Sequence, residues 1–225
     1  MSPSEALRAL DEMIRERSIL EHPFYQAWNK GMLTKDQLAT YARIYYAHVE
    51  AFPGYLEAAI GHASDPQVRA TLADNLADEL GNPAPHPALW LDFAEGVGAN
   101  RTDVANAQPH PAATAMVSTF SDLATESLAT GVAALYAYES QQPDVSRTKA
   151  DGLRAFYGVK DAKTLEYFAV HEAADVEHRA GERAALAACL AAGVPAHVIQ
   201  GAAARALDAY WGLLDGVCAE IGISC

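Results

Sequence analysis

No stretch of this chain alternates apolar and polar residues between two turn signals, which is the pattern a half-buried strand needs. Its apolar residues recur instead at three- and four-residue spacing over long segments, separated by short breakers. Leu7, Leu10 and Ile14 form such a stripe after Ser4, which we read as the first cap. The run T-K-D-Q at 34–37 is a capping box, and the helix it opens extends to about Gly61 with Pro53 inside it. Asp65-Pro66 opens another helix that lasts to Leu80. The breaker GNPAPHP at 81–87 ends it, and a further helix starts near His86 and stops at Gly96 or Gly98. A loop is expected over 100–109. Helices are expected over 111–140 with a break near 125–130, over 144–157, from the cap Asp161 to Gly193, and from Pro195 to about Ile221. The fold class is therefore all-α, a bundle of seven to eight helices in one domain spanning 1–225.

Charge removes several classes of partner. Lys and Arg number 16 against 29 Asp and Glu, a net charge of −13. Such a chain lacks the basic footprint that phosphate backbones require and is repelled by an anionic membrane. No basic and apolar leader precedes the first helix, and the uncharged, Ala-rich stretch after 184 contains Gly193, Pro195 and His197, so it does not read as a span. The three cysteines, Cys189, Cys218 and Cys225, are odd in number and form no CxxC pair. That argues against a disulfide framework and fits a cytoplasmic location.

The segment carrying chemistry is H-E-A-A-D-V-E-H at 171–178. At about 100° per residue, His171, Asp175 and His178 fall near 0°, 40° and −20° on a helical wheel. Two imidazoles and a carboxylate on one stripe are a donor set for a divalent transition ion. Glu172 and Glu177 point elsewhere, into solvent. A buried Asp needs a partner or a metal. Glu139 ends the apolar run GVAALYAY, where the helix dipole disfavours a carboxylate. Glu79 closes one helix and His86, with two prolines between them, opens the next. Glu79, His86, Glu139, His171, Asp175 and His178 together offer three carboxylates and three imidazoles. Against two divalent ions these leave one positive charge, as in carboxylate-rich dinuclear iron or manganese bundles. The ferritin-like arrangement needs two Glu-x-x-His pairs, and here Gln142 follows Glu139 at i+3 while the 175–178 pair begins with Asp.

Four segments together resemble the haem-oxygenase-like dimetal proteins, and within them the CADD branch (the Chlamydia protein associating with death domains and its bacterial relatives). They are LEHPFYQAWNKGML at 20–33, DEL followed by HPALW within 78–90, YAYES at 136–140, and VHEAADVEH at 170–178. The resemblance covers nearly the whole chain. It implies a haem-oxygenase-like bundle without haem, the same six metal ligands, and a homodimer. It implies two divalent ions (Fe/Fe or Fe/Mn), molecular oxygen as co-substrate and an external reductant whose donor is unknown. It further implies supply of 4-aminobenzoate for folate biosynthesis, with the ring cut from the protein's own tyrosine.

On the matching positions, Tyr25 is the expected ring source, Tyr41 and Tyr138 its companions in electron or radical relay, and Lys149 the amino donor or a required helper. Read without the resemblance, Tyr25 is a core tyrosine, Lys149 a solvated lysine, and Tyr41, Tyr45, His48 and Phe52 a core stripe. None of His22, His48, His62, His110 and His197 is expected to bind metal. Three alternatives stay open. One is a dimetal oxygenase or oxidase acting on an external fatty acid or amino acid. Another is a metal-free relative of the thiaminase or quinone-cofactor-synthesis kind, and the third is a binding protein.

Overall fold

A computed structural model describes residues 2–81 and 83–225; residue 1, and residue 82 in the breaker before His86, lie outside the described residues. Eleven α-helices and no strand occur among the described residues. They are α1 (Pro3–Glu16), α2 (Pro23–Asn29), α3 (Lys35–His62), α4 (Pro66–Gly81), α5 (His86–Gly96), α6 (Arg101–Ala105), α7 (Pro111–Glu126), α8 (Leu128–Glu139), α9 (Gln142–Phe156), α10 (Ala162–Ala191) and α11 (Ala196–Ile221). None is long and apolar enough to cross a membrane.

The local signals explain most boundaries. Thr34 and Gln37 close the capping box of α3, which continues through Pro53. Asp65 accepts from the Gln67 amide at the start of α4, and Asp161 caps α10. The cap of α1 is Ser2 rather than Ser4, because a capping box with Glu5 and Pro3 in the first turn place the start two residues earlier. Helix α6 lies within the stretch expected as a loop. Asn100 caps it, and one turn sufficed to bury only Val104, too short a repeat to register as periodic. The break expected near 125–130 falls at Ser127, which is fully extended and caps α8.

Helix α8 is central. Every residue from Ala129 to Glu139 is buried, as expected for a helix uncharged on all faces until its last residue. It packs on α7, α10 and α11, while α3 lies against α4, α5 and α7. Glu139 is thereby delivered to the interior opposite α10, whose stripe of His171, Asp175 and His178 is also buried.

The C-terminal tail corrects the cysteine reading. Gly222 adopts φ 72°, which turns the chain back on α11, and Cys225 meets Cys218 with Cα atoms 6.1 Å apart in a disulfide. Spacing alone hid the pair, because seven residues on a helix would hold them apart and only the left-handed turn closes the gap. His22 lies with the two sulfurs, but its Nδ1 accepts from the Phe24 amide and its Nε2 bonds Asp215.

Close packing between α2 and α9 gives a measurable expectation. A Cβ on Gly152 would stand 2.6 Å from Nε1 of Trp28, whose N–H is held by the Lys149 carbonyl at 3.3 Å. Helix propensity favours Ala over Gly by ~1 kcal/mol, but overpacking costs about 1–3 kcal/mol. Gly152→Ala is therefore expected to destabilise, read by urea unfolding, with a shift in tryptophan emission; a stabilised variant would show that this contact yields freely.

Candidate metal centre

Six side chains meet between α4, α5, α8 and α10 in two groups. Glu79, His86 and His171 form one, and Glu139, Asp175 and His178 the other; within each, one ligand atom per residue lies within 4.8 Å of the others. All six are buried. Nδ1 of His86 stands 2.9 Å from Glu79, the imidazole rings of His86 and His171 are 4.4 Å apart, and Nε2 of His171 is 3.9 Å from Glu79.

Neighbouring groups set which nitrogen faces inward. His171 donates its Nδ1 proton to the Tyr167 carbonyl at 2.7 Å, which leaves the Nε2 lone pair towards Glu79. Nε2 of His178 bonds Asp78 at 3.1 Å, which aims Nδ1 at Asp175, 3.2 Å away. The Asn75 amide donates to both oxygens of Glu139, at 3.1 and 3.0 Å.

Protonation follows from burial and crowding. Burial, then the neighbouring His86, holds His171 far below the ordinary histidine range, so it is a neutral donor. Burial would lower His86 and His178 too, but the bond to Glu79 in one case and that to Asp175 in the other outweigh it and leave both raised. Burial raises Glu139 and Asp175 above the usual carboxylate range.

The donor set fits a pair of metal ions. Nε2 of His86 and Oδ2 of Asp175 are buried without any hydrogen-bond partner among the described residues. Such orphan atoms are costly in a protein interior unless a cation takes them up. Mixed imidazole and carboxylate donors suit iron and manganese. Glu172 and Glu177 are exposed, as expected.

A cavity of about 10 Å³ touches Glu79, Glu139, His171 and Asp175 and is completed by His48, Val49, Phe52, Tyr138 and Tyr167. That is room for about one water-sized molecule. The large groove of about 580 Å³ on the other side of α10 is lined by Asp11, Arg179 and Arg183 among others, and by none of the six ligands.

The aromatic residues form a second layer. Tyr25, Tyr41 and Tyr138 are buried, as is Lys149, which sequence alone read as solvated. The hydroxyl of Tyr138 is 2.7 Å from that of Tyr45, which donates to Tyr210 at 3.2 Å. Wider contacts of 3.4 and 3.5 Å link Tyr25 to Tyr210 and to Tyr41. Burial holds all these phenols above the ordinary range. Nζ of Lys149 lies 5.0–5.7 Å from the ring centres of Tyr25, Tyr41, Tyr45, Trp90 and Phe168, and burial alone pushes its ammonium down to about 7.

Residues 39–211 match the family model described as iron-containing redox enzyme. The chain belongs to that family. Among relatives of this chain, the 4-aminobenzoate synthase of Nitrosomonas europaea is 37% identical over 96% of this chain and 92% of its own. That of Chlamydia muridarum is 44% identical over 79% of this chain and 76% of its own. The fold is shared with a CADD-like protein of unknown function from Nostoc punctiforme, with a TM-score of 0.77 and 21% identity over 97% of this chain and 99% of that one. The haem-oxygenase-like fold and the CADD branch expected from the sequence are thus the right ones.

Sequence reading missed Tyr210, Asn75 and Tyr167. Tyr210 lies on a separate helix with no spacing signal, and Asn75 stands one turn before Glu79. Tyr167 lies one turn before His171, so both second-layer residues could have been found by stepping back four positions from a ligand.

Proposed function

We propose that this protein makes 4-aminobenzoate, using its own Tyr25 as the source of the ring. The observation that carries the reading is the pairing of a 10 Å³ metal-facing cavity with a buried phenol and a buried amine. That cavity admits a diatomic gas but no fatty acid or amino acid, whereas Tyr25 and Lys149 are already buried within the bundle. The convergence of all six donors speaks against a metal-free activity. The curated 4-aminobenzoate synthases, at 37–44% identity, support the same product.

Glu79, His86 and His171 would hold one ion and Glu139, Asp175 and His178 the other, as Fe/Fe or Fe/Mn. With dioxygen and an external reductant, such a pair supplies the power to oxidise a phenol. The chain's own residues account for the remainder. Tyr138 is bonded in sequence to ligand Glu139, and its hydroxyl meets Tyr45, then Tyr210, then Tyr25. Because burial keeps these phenols protonated, an electron leaves each together with a proton passed to the next oxygen. The product has seven carbons, a ring with one carbon para to nitrogen. The Tyr25 ring and Cβ supply all seven when the Cα–Cβ bond is cut and Cβ is oxidised to the carboxyl carbon, with dioxygen as the oxidant. The amine that adds at the para carbon of the oxidised ring expels the phenol oxygen as water, and where Lys149 is the donor its Cε–Nζ bond is broken. Lys149, near half neutral at pH 7, presents a free amine beside that ring, as donor or helper. The reading includes oxidoreductase chemistry with one turnover per chain, in a cytoplasmic homodimer.

Ring-labelled tyrosine incorporated into the protein is the test. Mass spectrometry is expected to find the label in released 4-aminobenzoate and an equal loss from the Tyr25 peptide, and Tyr25→Phe is expected to release none. Unlabelled product with Tyr25 intact would transfer the reading to an external substrate.

A further inference from the structure

Glu182 is the one buried carboxylate of α10 that the six-ligand set leaves without a task. It stands eleven residues after His171, which at about 100° per residue sets it about 20° away on the wheel, inside the ligand stripe. Its residue is 1% exposed. Its carboxylate lies within hydrogen-bond reach of that of Glu139 and feels the charge of Asp175. Neither oxygen receives an N–H or O–H donor among the described residues, and the nearby Asn75 amide is committed to Glu139. Two buried carboxylates face to face need positive charge between them, a shared proton when the site is metal-free or a cation when metal is present.

Charge points the same way. Glu79, Glu139 and Asp175 leave a pair of divalent ions with one unbalanced positive charge in a low-dielectric interior. A fourth carboxylate makes the centre neutral.

We infer that Glu182 is a seventh metal ligand, binding the ion held by Glu139, Asp175 and His178. The two positions then differ in kind. One offers three carboxylates and one imidazole, a hard donor set. The other offers one carboxylate and two imidazoles. Oxygen-rich donors suit manganese, so the Glu182 position is the one with the greater relative preference for Mn²⁺. The inference rests on the proposed metal pair and is independent of which reaction the pair supports.

The test uses full-length, metal-free protein titrated anaerobically with Mn²⁺ alone, with free ion counted by electron paramagnetic resonance, and melting followed with and without Mn²⁺. Glu182→Gln keeps the shape and removes the charge. It is expected to weaken the tighter Mn²⁺ site at least tenfold. The same variant is expected to melt higher than wild type when metal-free, since the amide donates to Glu139 without first having to take up a proton, as a buried carboxylate must. With Mn²⁺ present the order reverses. Glu182→Asp keeps the charge but shortens the reach, so it is expected to melt no higher than wild type when metal-free and still to bind Mn²⁺ more weakly. A purely structural Glu182 would not produce this crossing. Unchanged Mn²⁺ affinity in Glu182→Gln would overturn the assignment of Glu182 alone. Wild-type protein that takes up no Mn²⁺ would overturn the manganese site and Glu182 with it, and labelled-tyrosine release would still decide the reaction separately.

Discussion

Lys149→Met is expected to yield a protein that is more stable than wild type and releases at least ~100-fold less 4-aminobenzoate. Wild-type Lys149 is fully buried among five aromatic rings, and burial brings its ammonium from the ordinary 10.5 to about 7. At neutral pH the unfolded chain holds that proton and the folded chain half releases it. At about 1.36 kcal/mol per pKa unit the cost of burial is ~4 kcal/mol at pH 7, and cation–π attraction to the rings offsets part of it. Methionine fills a similar volume with no charge to desolvate. The sign with pH is fixed. A lysine depressed in the folded state imposes its full penalty below pH 7, loses it progressively as pH rises from about 7 to 10.5, and imposes none above. The stability advantage of Lys149→Met is thus expected to be largest near pH 6 and to close towards pH 10.5, as read by denaturant midpoints across that range. An advantage that did not change with pH would mean that the amine is solvated. A destabilised variant would mean that the ammonium has a partner stronger than the rings.

His171→Ala is expected to lose bound metal and product together. The Tyr167 carbonyl fixes the ring so that Nε2 faces Glu79, and among the described residues His171 is the histidine grouped with Glu79 and His86. Removal of even an orienting neighbour of a metal ligand typically costs 10–100-fold in affinity, so loss of the ligand itself is expected to exceed that. Elemental analysis should fall from about two ions per chain to one or none. Uptake by wild type should also release protons. Burial leaves Glu139 and Asp175 raised, and their carboxylates leave His178 raised, so the metal-free site carries protons that the ions displace. Apparent affinity is therefore expected to rise with pH from 5 to 8. Two ions retained by His171→Ala would remove His171 from the centre.

The sequence was most informative where one helix carries the chemistry. His171, Asp175 and His178 share α10, so a wheel was enough to align them, and Glu182 would have followed from one more turn of the same wheel. The convergence of Glu79, His86 and Glu139 depends on how α4, α5 and α8 pack. Only the oddity of a carboxylate ending an apolar run hinted at that in advance. Lys149 marks the boundary. In S-R-T-K-A-D-G its neighbours are polar, and nothing local reveals that α9 turns this one residue under α2. The Cys218–Cys225 bond was hidden for a related reason, since it depends on the backbone reversal at Gly222 and not on spacing.

The complete enclosure of Tyr25 bears on the fate of the molecule after it has acted. Excision of an aromatic ring from such a place leaves a void walled by Phe24, Tyr41, Tyr210 and the Lys149 side chain. Emptying an aromatic site of this kind costs about 3–5 kcal/mol, a large part of the 5–15 kcal/mol that keeps an ordinary domain folded. If Tyr25 is the ring source as proposed, the spent chain would be a weakened one, opening more often, letting its product escape, and offering itself to proteases ahead of copies that have not yet reacted.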